Sequence, residues 1–326
     1  MKAAAILPLI FVSSVALASE RSTVSFSLDN DGFFGTDEDY TNGIFLSYTS
    51  SAITPWALFR PLSLSYWGSS SLDKFEFQLG HKMWTPSDIE ATVPLANDRP
   101  YAGYFHGELN YISLHSQQAQ RFNLTLGSTG EGSFADKAQQ LVHSIVGSAD
   151  PKGWEYQIED QVAGSIGYLT HLNWKREPLF GNTGWEVSNV TEANLGNFRS
   201  DVSTGMMFRF GSELGGNFGS ANISTENPFK AGMIGASNKG WFTYFGLKAR
   251  YRFNDLTIQG ERPGIPEPSD AYDVTLQPWQ GEAVLGVTWY NAYVGISAFA
   301  GSKSAEYKEA SKSIYGNGGI SLFAFF

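Results

Sequence analysis

Two stretches of this sequence concentrate side chains able to do chemistry. The first is residues 28–43, which hold Asp29, Asn30, Asp31, Asp37, Glu38, Asp39, Thr41 and Asn42 among three glycines. Hard oxygen donors in a glycine-containing loop suit Ca²⁺. The spacing is not that of an EF-hand, and a solvated acidic hairpin loop is the plainer reading of the composition alone. The second stretch surrounds His143. The other histidines, His81, His106, His115 and His171, fall in or at the ends of strand-patterned segments and read as incidental. No G-x-S-x-G elbow and no H-E-x-x-H pair is present, and there is no cysteine. A serine-elbow hydrolase, a zincin and a thiol enzyme are therefore excluded. What remains is a histidine able to move a proton and a carboxylate loop able to hold a hard cation.

The segment carrying His143 is the one break in a strand rhythm. Ala135, Ala138, Leu141, Val142, Ile145 and Val146 share one helical face at 100° per residue, and Gly147 can end the helix. His143 falls outside that apolar stripe, near Asp136 and Gln139, so a mere core-filling role does not suit it. Elsewhere apolar and polar residues alternate. Val24, Phe26 and Leu28 alternate with Ser25, Ser27 and Asp29. Phe75, Phe77, Leu79 and Met83 alternate with Glu76, Gln78, Gly80 and Lys82. Trp241, Phe245, Leu247, Tyr251 and Phe253 line one face of a strand whose other face carries Lys248, Arg250 and Arg252. Three cations on the hidden face of a soluble sandwich would be costly, whereas the interior of a membrane barrel accepts them.

Twelve strands are expected, at about 23–31, 42–50, 74–84, 102–115, 121–128, 161–174, 184–195, 199–211, 240–254, 278–289, 291–300 and 313–326. The number is even, as single-chain bacterial barrels require, and the last strand closes on Phe326. Residues 1–18, with Lys2, an apolar core and Ala16-Leu17-Ala18, read as a secretory signal peptide. The fold expected is all-β: one twelve-stranded antiparallel transmembrane β-barrel spanning residues 19–326, with a short extracellular helix at about 135–146. The stretch 211–240 reads as a long connection inside that barrel, not a linker. Net charge is −10, which argues against nucleic acid. No protein partner is evident. One parity argument singles out Asn30: it continues the outward register of Val24, Phe26 and Leu28, where a polar group facing lipid is expensive unless it serves something.

Several blocks together resemble the outer-membrane lipid A 3′-O-deacylase family. They are Asn30-Asp31, Phe33, Asp39-Tyr40-Thr41 and Gly43; residues 97–103 from Asn97 to Gly103; His143 to Gly147 with Gly153-Trp154 and Gln157; Asp255 to Gly260; and the Phe-rich C-terminus. The resemblance runs in order through nearly the whole mature chain. It implies a twelve-stranded barrel in the bacterial outer membrane that hydrolyses acyl chains from lipid A of lipopolysaccharide. His143 matches the family's general base, Asn30 and Thr41 match other active-site positions, and Asp31 matches a position at a Ca²⁺ that stabilises the oxyanion. The site would lie between the outer wall and helix 135–146, open sideways to the outer leaflet. Two departures stand out. The 85–99 loop, expected to hold an anionic head group, has Asp88, Glu90 and Asp98 against Arg99 alone. An acid expected shortly after the histidine is missing; the first is Asp150. The alternatives are an outer-membrane phospholipase with a Ser–His–Asn triad and a passive or catalytically inert pore.

Overall fold

The computed structural model describes residues 21–35, 37–146 and 149–326. The expected signal peptide, Gly147 and Ser148 lie outside them. The strands are β1 (Thr23–Asn30), β2 (Asp39–Thr49), β3 (Leu72–Thr85), β4 (Ala102–Leu114), β5 (Gln118–Thr129) and β6 (Val162–Phe180). They continue as β7 (Thr183–Gly196), β8 (Arg199–Ser212), β9 (Gly240–Asp255), β10 (Trp279–Tyr290), β11 (Val294–Ser304) and β12 (Ile314–Phe325). Every neighbouring pair is antiparallel, and β1 pairs with β12 from Thr23↔Phe325 to Asn30↔Gly318, closing the barrel. Closure removes both sheet edges, so no row of backbone N–H and C=O groups is left to face lipid. No described helix is long and apolar enough to cross a membrane.

The alternation works as the pattern predicts. Phe26, Phe77, Leu79, Phe245, Leu247 and Phe253 are exposed on the outer wall, while Ser27, Glu76, Gln78, Lys248 and Arg252 are buried in the lumen. Strand ends differ from expectation mainly at β6, which runs to Phe180 through bulges near Trp174 and Leu179 and meets β7 in a tight turn. Besides the helix α1 (Ala135–Val146), a one-turn helix α2 (Leu256–Gln259) is present, capped by Asp255 accepting from Thr257 N. Its four residues are too few to show a period in sequence.

Residues 213–239 enter the lumen from the end where the chain termini lie. Ala221 and Phe229 form an isolated bridge, and the tip between them reaches the far end of the wall, where β1 finishes and β8 starts. Glu226 pairs with Lys82 at 2.8 Å and Arg199 at 2.8 Å. Asn227 N donates to Asp29 Oδ2 at 2.6 Å, and Asn317 Nδ2 donates to Thr225 O at 2.6 Å. A polar cavity of about 140 Å³ remains between insert and wall. Above it, Lys303 meets Asp39 at 2.7 Å and Glu306 at 2.8 Å; Arg252 meets Glu306 at 2.8 Å; Arg199 meets Asp255 at 2.9 Å. Arg99 joins this web through Asp39 and, at 3.3 Å, Glu306. The lumen is thus filled by its own charges and by the insert, which speaks against a passive pore.

Two outcomes check this arrangement. The protein should give no steady conductance in planar bilayers. Glu226→Gln removes the carboxylate that pairs with partly buried Lys82 and with Arg199, which keeps only Asp255, so the temperature at which the barrel loses its folded gel mobility should fall. The loss should be about 2 kcal/mol, between the exposed and fully buried ion-pair ranges.

Candidate active site on the outer wall

The site begins where β1 ends. Asn30 keeps the outward parity of Phe26 and Leu28, as the alternation requires. Its side chain is not idle: Oδ1 accepts from Gly32 N at 2.7 Å, and Nδ2 donates to Thr41 O at 3.1 Å. Asn30 thereby caps the 3₁₀ turn Asp31–Phe34, which ends at Gly35 with φ +73°. That left-handed angle favours glycine. Asp31 is buried, and its Oδ2 accepts from Glu38 N at 2.7 Å, closing the loop.

Thr41 occupies a β-bulge, a register shift between Tyr40 and Asn42 in the β2–β3 pairing. The extra residue inverts the side-chain parity. Tyr40 therefore turns into the lumen, where its OH donates to Asp29 Oδ2 at 3.1 Å. Asn42 instead faces outward, opposite Asn30. Thr41 Oγ1 bonds Thr85 Oγ1 at 2.6 Å, and Thr85 Oγ1 donates to Asp37 O at 3.3 Å. A continuous chain therefore runs from Asn30 through Thr41 and Thr85 to Asp37.

His143 arrives from the other side, on α1. The helix packs against the outer wall of β3 and β4. Met83, Tyr101, Ala135 and Trp154 form a buried cluster with Ala138 against it. Trp154 stacks near Tyr101 with ring centroids 4.6 Å apart, and its Nε1 donates to Gln139 Oε1 at 2.8 Å. The expectation that the apolar stripe is the packed face holds for Ala135 and Ala138 and fails for Leu141 and Val142. Leu141 is 62% exposed and Val142 37%, while Gln139 and His143, one and two turns beyond Ala135, are buried. On a membrane protein the solvent for an apolar edge is lipid, so the stripe splits between wall and bilayer and the polar stripe packs inward. Phe134 and the outward Phe105 and Leu126 continue the lipid-facing surface.

The two halves meet at one contact. His143 Nε2 lies 3.3 Å from Asp37 Oδ2, and His143 Nδ1 lies 2.5 Å from Ala149 O. A carbonyl oxygen can only accept, so Nδ1 carries the proton. Nε2 is then the basic nitrogen, and it faces the carboxyl. Burial raises the Asp37 carboxyl above the usual range, and the nearby His143 partly offsets this. Asp150, the first acid after the histidine, is exposed. Neither Asp37 as the histidine's partner nor Thr85 is visible in local sequence. The expected site residues Asn30, Asp31, Thr41 and His143 do lie on elements that converge here.

Asp31 shows what the loop lacks. Its carboxyl is pushed up to about 8, first by burial and further by the neighbouring charges of Asp37 and Asp39. Asn42 Oδ1 is also buried and accepts no hydrogen bond. Among the described residues no three His, Asp or Glu side chains converge on one cation position. The donor set is still all oxygen, and a hard cation whose shell is completed by backbone carbonyls and water fits it.

The 85–99 loop does not offer its cation outward. Asp98 caps its own loop, accepting from Ser87 N at 2.8 Å, Ser87 Oγ at 2.7 Å and Tyr307 OH at 2.9 Å. Arg99 turns into the lumen, where it pairs with Asp39 and Glu306. His81 stands on the lipid-facing register as expected, but the turn Gly130–Ser133 covers it, and its Nε2 meets Ser133 O at 3.1 Å.

A closed twelve-stranded barrel, apolar outside and charged inside, with a His–Asp contact mounted on its outer wall, defines an integral outer-membrane β-barrel protein. The family model "Outer membrane protein LpxR" matches residues 4–326, and the chain belongs to that family. Among solved structures it is similar to LpxR from Salmonella typhimurium, with a TM-score of 0.77 and 17% identity over 93% of this chain and 100% of that one. The β domain of the Bordetella autotransporter BrkA gives a TM-score of 0.44 at 8% identity, covering 94% and 97%. No curated protein matches the sequence.

Two measurements test this geometry. A Cβ at Gly103 would overlap Ser133 Oγ and Ala135 Cβ. Gly103→Val should leave the barrel folded but lift α1, seen as red-shifted Trp154 emission and faster proteolysis at Lys137. The second concerns Asp31, whose folded carboxyl holds its proton between its ordinary 3.8 and about 8 while the unfolded one has released it. Stability in chelator must therefore fall as pH rises through that window. Asp31→Asn should raise the unfolding temperature at pH 9 and change it little at pH 4.

Proposed function

We propose that this protein is an outer-membrane esterase that removes acyl chains from lipid A, the 3′-O-linked acyloxyacyl group being the favoured one. The observation that carries the reading is the meeting of His143 with the Asn30–Thr41 loop on the lipid-facing wall, in a chain of the LpxR family. A water held at His143 Nε2 gives up its proton to the imidazole as it attacks the ester carbonyl. Nδ1–H stays fixed on Ala149 O, which keeps Nε2 the accepting atom. Asn30 and Thr41 shape the oxygen-rich floor beside it. Asp31, with Asn42 Oδ1 and loop carbonyls, would hold Ca²⁺, which supplies charge to offset the developing oxyanion.

The edge of α1 suits a lipid. Leu141, Val142 and Phe134 present apolar surface on the helix that carries His143, so an acyl chain in the bilayer reaches the histidine without leaving apolar surroundings. The end of the barrel bearing this site carries most of the longer connections outside the lumen, as the extracellular end of such barrels does. That supports a site at the outer leaflet. A phospholipase triad finds less support. Ser144 Oγ donates to Leu141 O at 2.7 Å, and Ser133 Oγ donates to Gly130 O at 2.6 Å, so these two serines of the described residues around α1 are committed to backbone.

The test is mass spectrometry of lipid A after incubation with purified protein in detergent. Loss of one acyloxyacyl unit is expected with Ca²⁺. It should be abolished by EDTA and lowered by at least about 10³-fold in His143→Ala, the scale of losing a general base. An unchanged lipid A mass with demonstrably folded protein would sink the reading. Cleavage of glycerophospholipid alone would replace it with the phospholipase alternative.

A further inference from the structure

We infer that Asp37, delivered by the β1–β2 loop, is the positioning carboxylate of His143, taking the place of the acid expected just after the histidine. The inference rests on the proposed role of His143 and adds to it a residue from a different part of the chain. Four observations lead there. Asp37 Oδ2 is the only carboxylate oxygen among the described residues within ion-pair distance of the His143 ring. It stands at Nε2, the nitrogen that receives the proton, while the opposite nitrogen is already tied to Ala149 O. The Asp37 main chain is held in turn by Thr85 Oγ1, itself bonded to Thr41. Asp37 Oδ1 is buried and accepts no hydrogen bond, so no hydrogen bond to that oxygen competes with the contact to His143.

The geometry gives the carboxylate two tasks. Before attack, Oδ2 beside Nε2 holds the ring in place while Nε2 takes an O–H of the attacking water. When that proton has moved to Nε2, Oδ2 lies 3.3 Å away, and the imidazolium is paired where its charge forms. The water O–H bond breaks, the N–H bond forms, and the hydroxide electron pair goes to the ester carbon. No other reactant is needed. The arrangement also couples the histidine to the rest of the site. Asp37 and Asp31 share one loop, closed by the Glu38 N to Asp31 Oδ2 bond, so displacing that loop moves the acid away from α1.

Asp37→Asn keeps shape and removes charge; Asp37→Glu keeps charge. With lipid A as substrate, Asp37→Asn should lower kcat by about 10²–10³-fold with KM within about twofold, and move the acid limb of the kcat profile to lower pH. Asp37→Glu should recover at least about tenfold of that loss. Equal losses in both variants with an unmoved acid limb would mean a merely structural role and overturn the inference, as would an undiminished kcat in Asp37→Asn. A second readout needs no substrate: the ring ¹⁵N resonances of His143 in histidine-labelled protein. They should move in Asp37→Asn and stay near wild type in Asp37→Glu, and an unmoved Nε2 signal in Asp37→Asn would overturn the inference. If wild type leaves lipid A intact, the function assigned above fails, and the ¹⁵N result still decides whether Asp37 pairs with His143.

Discussion

A wall bathed in lipid cannot carry unsatisfied polar groups, and this constraint orders the whole molecule. It forces closure between β1 and β12, so that all ladder hydrogen bonds are internal. It sends most strand charges inward, where Lys303, Arg252, Arg199 and Arg99 meet Asp39, Glu306, Asp255 and Glu226. It makes the insert 213–239 useful, because a lumen lined with charge needs partners and Glu226 and Asn227 supply them. Without lipid outside, none of these groups would need to be where it is.

The candidate site is the place where the rule is broken, and the surrounding structure shows how the break is contained. Asn30, Thr41, Thr85 and Asp37 all lie on the outer side, and each is bonded to the next. α1 then brings His143 to Asp37 while turning Leu141 and Val142 to the bilayer. A polar network on a lipid-facing wall is tolerable once it is sealed from hydrocarbon by its own helix. The seal itself depends on small residues and aromatics: Gly103 lets Ala135 and Ser133 approach the wall, and Tyr101 with Trp154 fixes the helix's start. The remaining histidines differ in kind. His106 and His171 are buried in the lumen, and His81 is closed off by a backbone carbonyl.

Outer site and lumen are also tied together. Asp29 in the lumen and Asn30 outside are adjacent on β1, and Asp29 accepts from both the insert and Tyr40. Tyr40 reaches Asp29 only because the bulge at Thr41 turns it inward. Asp39, at a left-handed φ of +66°, begins β2 by pairing with Arg99 and Lys303. The loop that bears Asp31 and Asp37 is thus anchored at both ends by lumenal charge, which gives the site a rigid base.

The sequence by itself determined the barrel, the strand count, the inward and outward faces and the family, because side-chain alternation is a local property repeated over many residues. It also singled out Asn30, by parity, and His143, by its place off the apolar stripe. It could not orient α1, since amphipathic periodicity gives a face but not the medium that face meets; with lipid on one side, the polar stripe was the one that packed. It could not show Arg99 turning inward, the insert filling the lumen, or the bulge re-aiming Tyr40. Nor could it pair Asp37 with His143, which are separated by more than a hundred residues and brought to 3.3 Å only when β2, β3 and β4 align and α1 folds back over them. Contacts of that kind are set by closure of the barrel, and closure is a property of the whole chain.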